Sequence, residues 1–484
     1  MKKVFSLVLV VILVTLILAA CGSGASSGDG AVPLNEIVLS GSSATVSGKG
    51  AVASGNVVTI RSEGEYHLSG KLDDGQIIVD CGADEGKVFL YLDNADVTCL
   101  SAPAIYVLQA KSLHIVLPEG SSSRLVSGTE ANLEHYDEAA NGGAIFSEDD
   151  VDIEGTGALE ILGYINNGIT GKDDVKIKGG NVSIIAANNG IKGSESVSLL
   201  GGSVKIVCGN DGIKATSAAK EGKGYVLVDG CSVSVECESD GISAETDLTV
   251  SSGSVTVVSS GSPADGSCKA LKAKTGIVIS GGSVDVSSSD HAIHSAAGIV
   301  ISGGDVKAVS LEKKGLAAHE AIDISGGNLT VEAFADGIET PGNISLSGGT
   351  VTVSSGEDGI HSGTKADGAV AATGVVTVSG GTVLIDAGGD PIDAKAEILV
   401  NGGTVLGTGT DKKLKAFSAN SSQAFFCGSF AGAADVELSV SGEGVELSNP
   451  VTRKFSIVIC SDPAMVSGSS YTVTTGLNSA DFTA

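Results

Sequence analysis

A short phrase recurs along this chain at an almost fixed interval. "NGIK" at Asn189–Lys192 returns as "DGIK" at Asp211–Lys214, 22 residues later. Two-glycine turns keep the same spacing at Gly180, Gly202, Gly282, Gly304, Gly327, Gly349, Gly381 and Gly403, with degenerate versions at Gly157, Gly230 and Gly253. Steps of 22 or 23 residues dominate, and longer laps carry insertions such as "SAAKEGKG", "GSPADGS" and "GTKADGAVAAT". A constant frame interrupted by per-repeat insertions marks a solenoid.

Each lap carries three aliphatic columns. The first runs Ile177, Leu199, Leu227, Val250, Ile279, Ile301, Ile324, Leu346, Val378 and Val400. The second follows the glycine turn, from Val182 and Val204 through Val233, Val255, Val284, Val306, Leu329 and Val351 to Val383. The third is the isoleucine of the repeated phrase, at Ile169, Ile191, Ile213, Ile242, Leu271, Ile293, Leu316, Ile338, Ile360 and Ile392. Short β-branched runs split by glycine turns read as strands. One lap cannot bury its apolar face alone, so laps stacked about 4.8 Å apart must supply the core. The expected fold is all-β: a right-handed parallel β-helix over residues 34–403, with a C-terminal β cap over 404–484 that hides the last open edge. Residues from about Val57 read as earlier, less regular laps. Long amphipathic helices are absent from the pattern, which excludes a leucine-rich horseshoe.

If the isoleucine points inward, the next residue points outward. That column reads Thr170, Lys192, Lys214, Ser243, Lys272, His294, Ala317, Glu339, His361 and Asp393, basic in its first half and acidic in its second. Two positions before the isoleucine stand Asn167, Asn189, Asp211, Asp240, Lys269, His291, Lys314, Asp336, Asp358 and Asp390. Turn chemistry accounts for Asn-Gly and Asp-Gly pairs, because both residue types tolerate left-handed backbone. Crowded carboxylates ask for more. Asp336, Glu339, Asp358, Asp390 and Asp393 fall in three consecutive laps, and like charges one strand spacing apart are costly without a cation between them. Hard oxygen ligands at that spacing suit calcium. A second crowd, in "SEDDVDIEG" and "GKDDVKIKGG", stacks Asp149 on Asp173 and Asp150 on Asp174, with Glu195 next. It reads either as a second calcium site or as a solvated acidic edge.

A formal net charge of −28 argues against nucleic acid as a partner. It would also repel an acidic sugar polymer, unless local cations met it. At the N-terminus, Lys2 and Lys3 precede an apolar run that ends "LAAC" at Leu18–Cys21. Residues 1–20 read as a signal peptide, Cys21 as the lipidated first residue of a bacterial lipoprotein, and 21–33 as a polar tether. The alternatives are an ordinary signal peptide with an incidental cysteine or a short membrane anchor, and the polar tether that follows at once favours lipidation. Eight further cysteines show no CxxC pair, so zinc is not indicated. Cys208 and Cys237 share a column of small residues with Ala186, Ser259, Ser288, Ala333, Ser355 and Ala387, and read as buried thiols or as a bridge. Tryptophan is absent, which counts against flat stacking on crystalline cellulose.

The run "GGAIFSEDDVDIEGTGALEILGYINNGITGKDDVKIKGGNVSIIAANNGIKGSESVSLLGGSVKIVCGNDGIKA", with "GEYHLSGKLDDGQIIVD" before it and "CSDPAMVSGSSYTV" near the end, resembles a family of clostridial-type surface lipoproteins described as carbohydrate-binding parallel β-helix proteins. The resemblance implies a pectate-lyase-like fold, calcium, and plant-type polysaccharides as ligands. In the lyase pattern, a lysine of "NGFK" type is matched at Lys192 and Lys214 and loosely at Lys272, and the aspartates at Asp211 and Asp240. The "DGxD" spacing, however, occurs only at Asp336/Glu339 and Asp390/Asp393, about four laps or 20 Å away. A catalytic base must reach its proton. The expected function is therefore polysaccharide binding, to an acidic pectin-like chain, through Lys192, Lys214, Lys272, Asp211 and Asp240, with calcium, by an extracytoplasmic lipid-anchored surface protein. One alternative is a calcium-dependent polysaccharide lyase with Lys214 or Lys272 as base. The other is a structural adhesin or spacer with no ligand site. Whether the chain is an enzyme stays open at this stage, with the spacing against it.

Overall fold

Strand pairing repeats with the sequence period. In the computed structural model, one lap contributes the strands Asp174–Ile177, Asn181–Ala186 and Ile191–Gly193. The next contributes Ser196–Leu199, Ser203–Cys208 and Ile213–Ala215. Val175 faces Val197, Val182 faces Val204 and Ile191 faces Ile213, all in parallel register. The 22-residue interval is therefore the register itself: each side chain stacks on its counterpart one lap away. Repeated along the chain, this gives three parallel ladders. Two lie in a 28-stranded sheet, and the short-strand ladder forms a 15-stranded sheet. The structure describes residues 35–82, 86–134, 142–363, 374–410, 414–476 and 478–484. The signal segment 1–20, the tether 21–33 with Cys21, and most of "GTKADGAVAAT" lie outside the described residues. A 3₁₀ turn at Glu130–Glu134 is the one helical element among those described.

The third aliphatic column is at most 1% exposed throughout, and one continuous core runs from Ile37 to Ile459. The first column needs a correction. In the lap holding Tyr225–Val228, Leu199 pairs with Val228, and Val228 rather than Leu227 is buried. The preceding insertion hides the one-residue offset, and in a strand one residue is a change of face. Cys208 and Cys237 face each other in register as free thiols.

Glycine does two different jobs. The second glycine of each two-glycine turn is left-handed, with φ of 83° at Gly180, 72° at Gly202 and 79° at Gly282. The glycine of the repeated phrase is not. Among the described residues, only Asn94 and Asp435 are non-glycine residues with positive φ, so Asn189 and Asp211 are not left-handed either. Gly212 is required by close approach. A Cβ there would lie 2.3 Å from Val235 Cγ1 and 2.5 Å from the carbonyl oxygen of Gly241.

Antiparallel strands finish both ends. Asn35–Gly41 lies parallel on Gly64–Leu72 but antiparallel to Ser43–Val46. Glu397–Gly409 is the last parallel strand, paired as far as Thr408, a little past the Gly403 turn. Phe455–Ser461 then covers it antiparallel, and a four-stranded antiparallel sheet follows. Closing the last ladder this way leaves its edge amides paired.

Candidate functional site

The Asn/Asp column is built into the stack. Asn189 Oδ1 accepts the backbone N–H of Asp211 at 3.2 Å, Asp211 Oδ1 that of Asp240 at 2.9 Å, and Asp240 Oδ1 that of Lys269 at 3.0 Å. His291 Nδ1 plays the same part for Lys314 at 3.3 Å. The pattern resumes from Asp336 to Asp358 at 2.9 Å and from Asp358 to Asp390 at 2.8 Å. Each side chain thus satisfies a backbone donor of the next lap in a buried setting, where an unmade hydrogen bond is costly. This inter-lap ladder, rather than left-handed turn geometry, explains why the position favours short carbonyl-bearing side chains.

One carboxylate oxygen is left over at Asp211 and at Asp240, and neighbouring lysines take it. Lys214 Nζ lies 2.5 Å from Asp211 Oδ2. Lys272 Nζ lies 2.7 Å from Asp240 Oδ2 and 3.1 Å from Ser267 Oγ. Lys269 reaches Asp290 Oδ2 at 2.6 Å, and Lys314 contacts Glu339. The lysines and aspartates named for a lyase site are therefore engaged with each other. Lys192 differs. Among the described residues it has no carboxylate partner, and neither does Lys172, whose Nζ sits 5.7 Å from the centre of the Phe146 ring. Burial, then the like charges of Lys214 and Lys172, holds Lys192 below the ordinary lysine value, with the Asp211 carboxylate opposing. In the outward column, register places Tyr106, Phe146, Thr170, Lys192 and Lys214 on successive laps.

The C-terminal acidic crowd gathers around a histidine. His361 Nδ1 is 3.4 Å from Asp336 Oδ2 and 3.4 Å from Asp358 Oδ2, and its Nε2 is 3.9 Å from Asp393 Oδ2. Burial opposes a charged ring, but the hydrogen bond to Asp336 and the charges of Asp336, Asp358 and Asp393 outweigh it and raise the His361 pKa. Asp358 is itself raised, chiefly by burial. Glu339 is turned to Lys314 and does not join them. Asp336, Asp358 and His361 offer ligand atoms within 4.8 Å of one another. Those three groups alone offer fewer oxygens than the six to eight that calcium takes. The raised pKa of His361 means that this crowding favours the protonated ring, the form that would offset the carboxylates.

Lysines from an insertion relieve the other crowd. Lys223 Nζ lies 3.0 Å from Asp174 Oδ1 and 3.0 Å from Glu195 Oε2, and Lys220 also contacts Glu195. Burial works against the Asp174 carboxylate, but Ser196 and Lys223 hold its pKa below the usual range. Asp150 Oδ1 accepts the N–H of Asp174 at 3.1 Å, and Asp149 Oδ2 accepts that of Ala110 at 2.8 Å. Asp173 is left raised, mainly by burial and then by the charge of Glu195.

A family described as "Carbohydrate-binding domain-containing protein" matches residues 54–313 and 309–480, nearly all of the ladder and cap. The chain belongs to this carbohydrate-binding family. A relative of the same description from Acetivibrio thermocellus is 34% identical over 184 residues, which is 36% of this chain and 63% of the relative. The chain thus spans less than two thirds of that relative's length. A solved structure, described as a polysaccharide lyase-like protein from C. thermocellum in a gadolinium derivative, is 32% identical. It covers 46% of this chain and 90% of its own, with a TM-score of 0.43.

The residues that the sequence pattern passes over lie near Lys192. Lys172 lies just after the Gly171 that ends its strand, two residues beyond Thr170 of the outward column. Phe146 is buried beneath the Lys172 ammonium, so it orients that charge instead of facing a ligand.

Proposed function

We propose that this chain is a lipid-anchored cell-surface protein that binds an acidic, pectin-like polysaccharide on the outward face of its short-strand ladder, and that its three ladders close into a right-handed parallel β-helix. One observation carries the reading. Lys172 and Lys192 have no carboxylate partner among the described residues, on a face where Lys214, Lys269, Lys272 and Lys314 all have one. A half-buried ammonium set between two like charges gains most from an incoming anion. A chain of uronate sugars presents carboxylates at regular intervals, and its neutral rings would lie along the adjacent laps. Family membership supports a carbohydrate as the partner. Calcium is not needed in this reading, because lysines meet the carboxylates directly.

The test is retention of the full chain on polygalacturonate. Lys192→Glu is expected to weaken retention about tenfold, and raising salt should act in the same direction by screening. No unsaturated uronide ends should be released. Retention indifferent to both the substitution and salt would remove Lys192 from the site, and steady release of unsaturated ends would replace the binder with a lyase. The anchor is tested separately. Cys21→Ser should move the protein from the membrane fraction to the soluble one, and a variant that stays membrane-bound would rule out lipidation at Cys21.

A further inference from the structure

Where the C-terminal sheet meets the ladder of strands Asp305–Ser310, Asn328–Ala333 and Thr350–Ser355, a cleft of about 640 Å³ opens. Its size falls in the range of small-ligand clefts. Outward side chains form the floor, with Thr330 beside Thr352 on one rung and Glu332 beside Ser354 on the next. The wall comes from the segment around Thr452 and Arg453, which is firmly tied down. Arg453 donates to Ser354 Oγ at 2.6 Å, and Thr452 donates to Asp386 Oδ2 through both its N–H, at 2.8 Å, and its hydroxyl, at 2.6 Å. The site is therefore held in shape before any ligand arrives.

The cleft's charges are neutralised within the protein. Arg453 lies 3.6 Å from Asp386 Oδ2, and Lys307 lies 3.3 Å from Glu332 Oε1. What remains for a ligand is a set of hydroxyls and one aromatic ring. Phe334 is 66% exposed, the most of any large apolar side chain among the described residues. The backbone pairing that follows these strands runs from Leu311 through Phe334 and Gly356 to Gly388. Side chains stop at Phe334, and the positions stacked on it in the next two laps are Gly356 and Gly388, so among the described residues no counterpart side chain covers its ring. A lone, uncovered ring beside hydroxyls and self-paired charges suits the apolar face and hydroxyl edge of an uncharged sugar.

We infer that this cleft is a second carbohydrate site, separate from the Lys192 face, and that it takes a neutral pyranose chain stacked on Phe334. The inference rests on family membership for the class of ligand, and it does not depend on the acidic-polymer reading.

Affinity electrophoresis of the full chain tests it, with hydroxyethylcellulose, xylan and galactomannan as neutral probes and polygalacturonate run in parallel. Retardation by at least one neutral polymer is expected. Phe334→Ala should weaken that retardation at least tenfold, Phe334→Tyr should preserve it, and both should leave the melting temperature and the polygalacturonate retention unchanged. Lys192→Glu should do the reverse, sparing the neutral polymer. No retardation by any neutral polymer overturns the inference. So does full neutral binding by Phe334→Ala, and so does equal loss of neutral and acidic binding in that variant, which would make the ring part of one shared site.

Discussion

Gly212→Ala is expected to destabilise the protein by about 3 kcal/mol or more, although alanine is the smallest possible change. Overpacking a filled core ordinarily costs about 1–3 kcal/mol, and here the obstacle is backbone. The added methyl would meet the Gly241 carbonyl oxygen at 2.5 Å and Val235 Cγ1 at 2.3 Å. Relief requires neighbouring laps to separate, which breaks the hydrogen bonds from Gly212 N–H to Asp240 O and from Ile213 N–H to Gly241 O. Gly266→Ala supplies the comparison, since a Cβ there meets nothing within 4 Å and its φ is not positive. It should change stability by about 0.5 kcal/mol or less. Denaturant midpoints for the two variants decide the matter. Equal midpoints would mean that the phrase's glycine is dispensable and that its close approach does not set the lap spacing.

The same glycine shows how far the sequence can be read. The 22-residue period gave the parallel stacking and the three buried columns, because one lap of chain equals one step of register. Pattern alone reached the glycine but assigned it a turn role. The reason it is glycine lies in the lap beside it, 29 residues away in sequence at Gly241. Leu227 and Val228 show a related limit: an insertion moves the count by one, and both candidates are aliphatic. Among the charges, composition of the columns was legible while partners were not. Lys214 pairs with Asp211 of its own lap, but Lys272 pairs with Asp240 of the lap before, because its own lap holds Lys269 at that position. Side-chain reach makes that choice, and periodicity carries no information about reach. That Lys192 has no carboxylate partner among the described residues emerges only after its neighbours have been matched. His361 was visible in its column, but its place between Asp336 and Asp358 depends on how the ring turns.

Acidification should expose a second strong dependence, on the histidine stack. His291 and His294 lie ring on ring with centroids 5.4 Å apart, and His319 meets His294 edge-on at 5.3 Å. Burial lowers the pKa of His291 to about 4, with Lys269, Lys314 and Lys313 adding to it and Asp290 opposing. Burial also lowers that of His294 to about 3, with His291, Lys269 and His319 adding and Asp290 again opposing. In the unfolded chain both would titrate near 6.5. Below that pH the unfolded state takes up protons that the folded state refuses, so stability falls as pH falls from 6.5 towards 4. Between pH 6.5 and 4.5, before most carboxylates titrate, the loss should be roughly 2 kcal/mol for each histidine. His361 acts with the opposite sign. Its folded pKa is raised, so its contribution is complete below 6.5 and is lost as pH rises through the folded value. The variant that isolates the stack is His291→Asn with His294→Ser. Asparagine already fills the first column at Asn189, where its Oδ1 accepts the next lap's N–H, and serine fills the second at Ser243. The double variant should therefore keep the inter-lap ladder and lose most of the slope between pH 6.5 and 4.5. Urea midpoints taken across that range give the answer, and an unchanged slope would show that these rings stay as easily protonated in the fold as in the free chain.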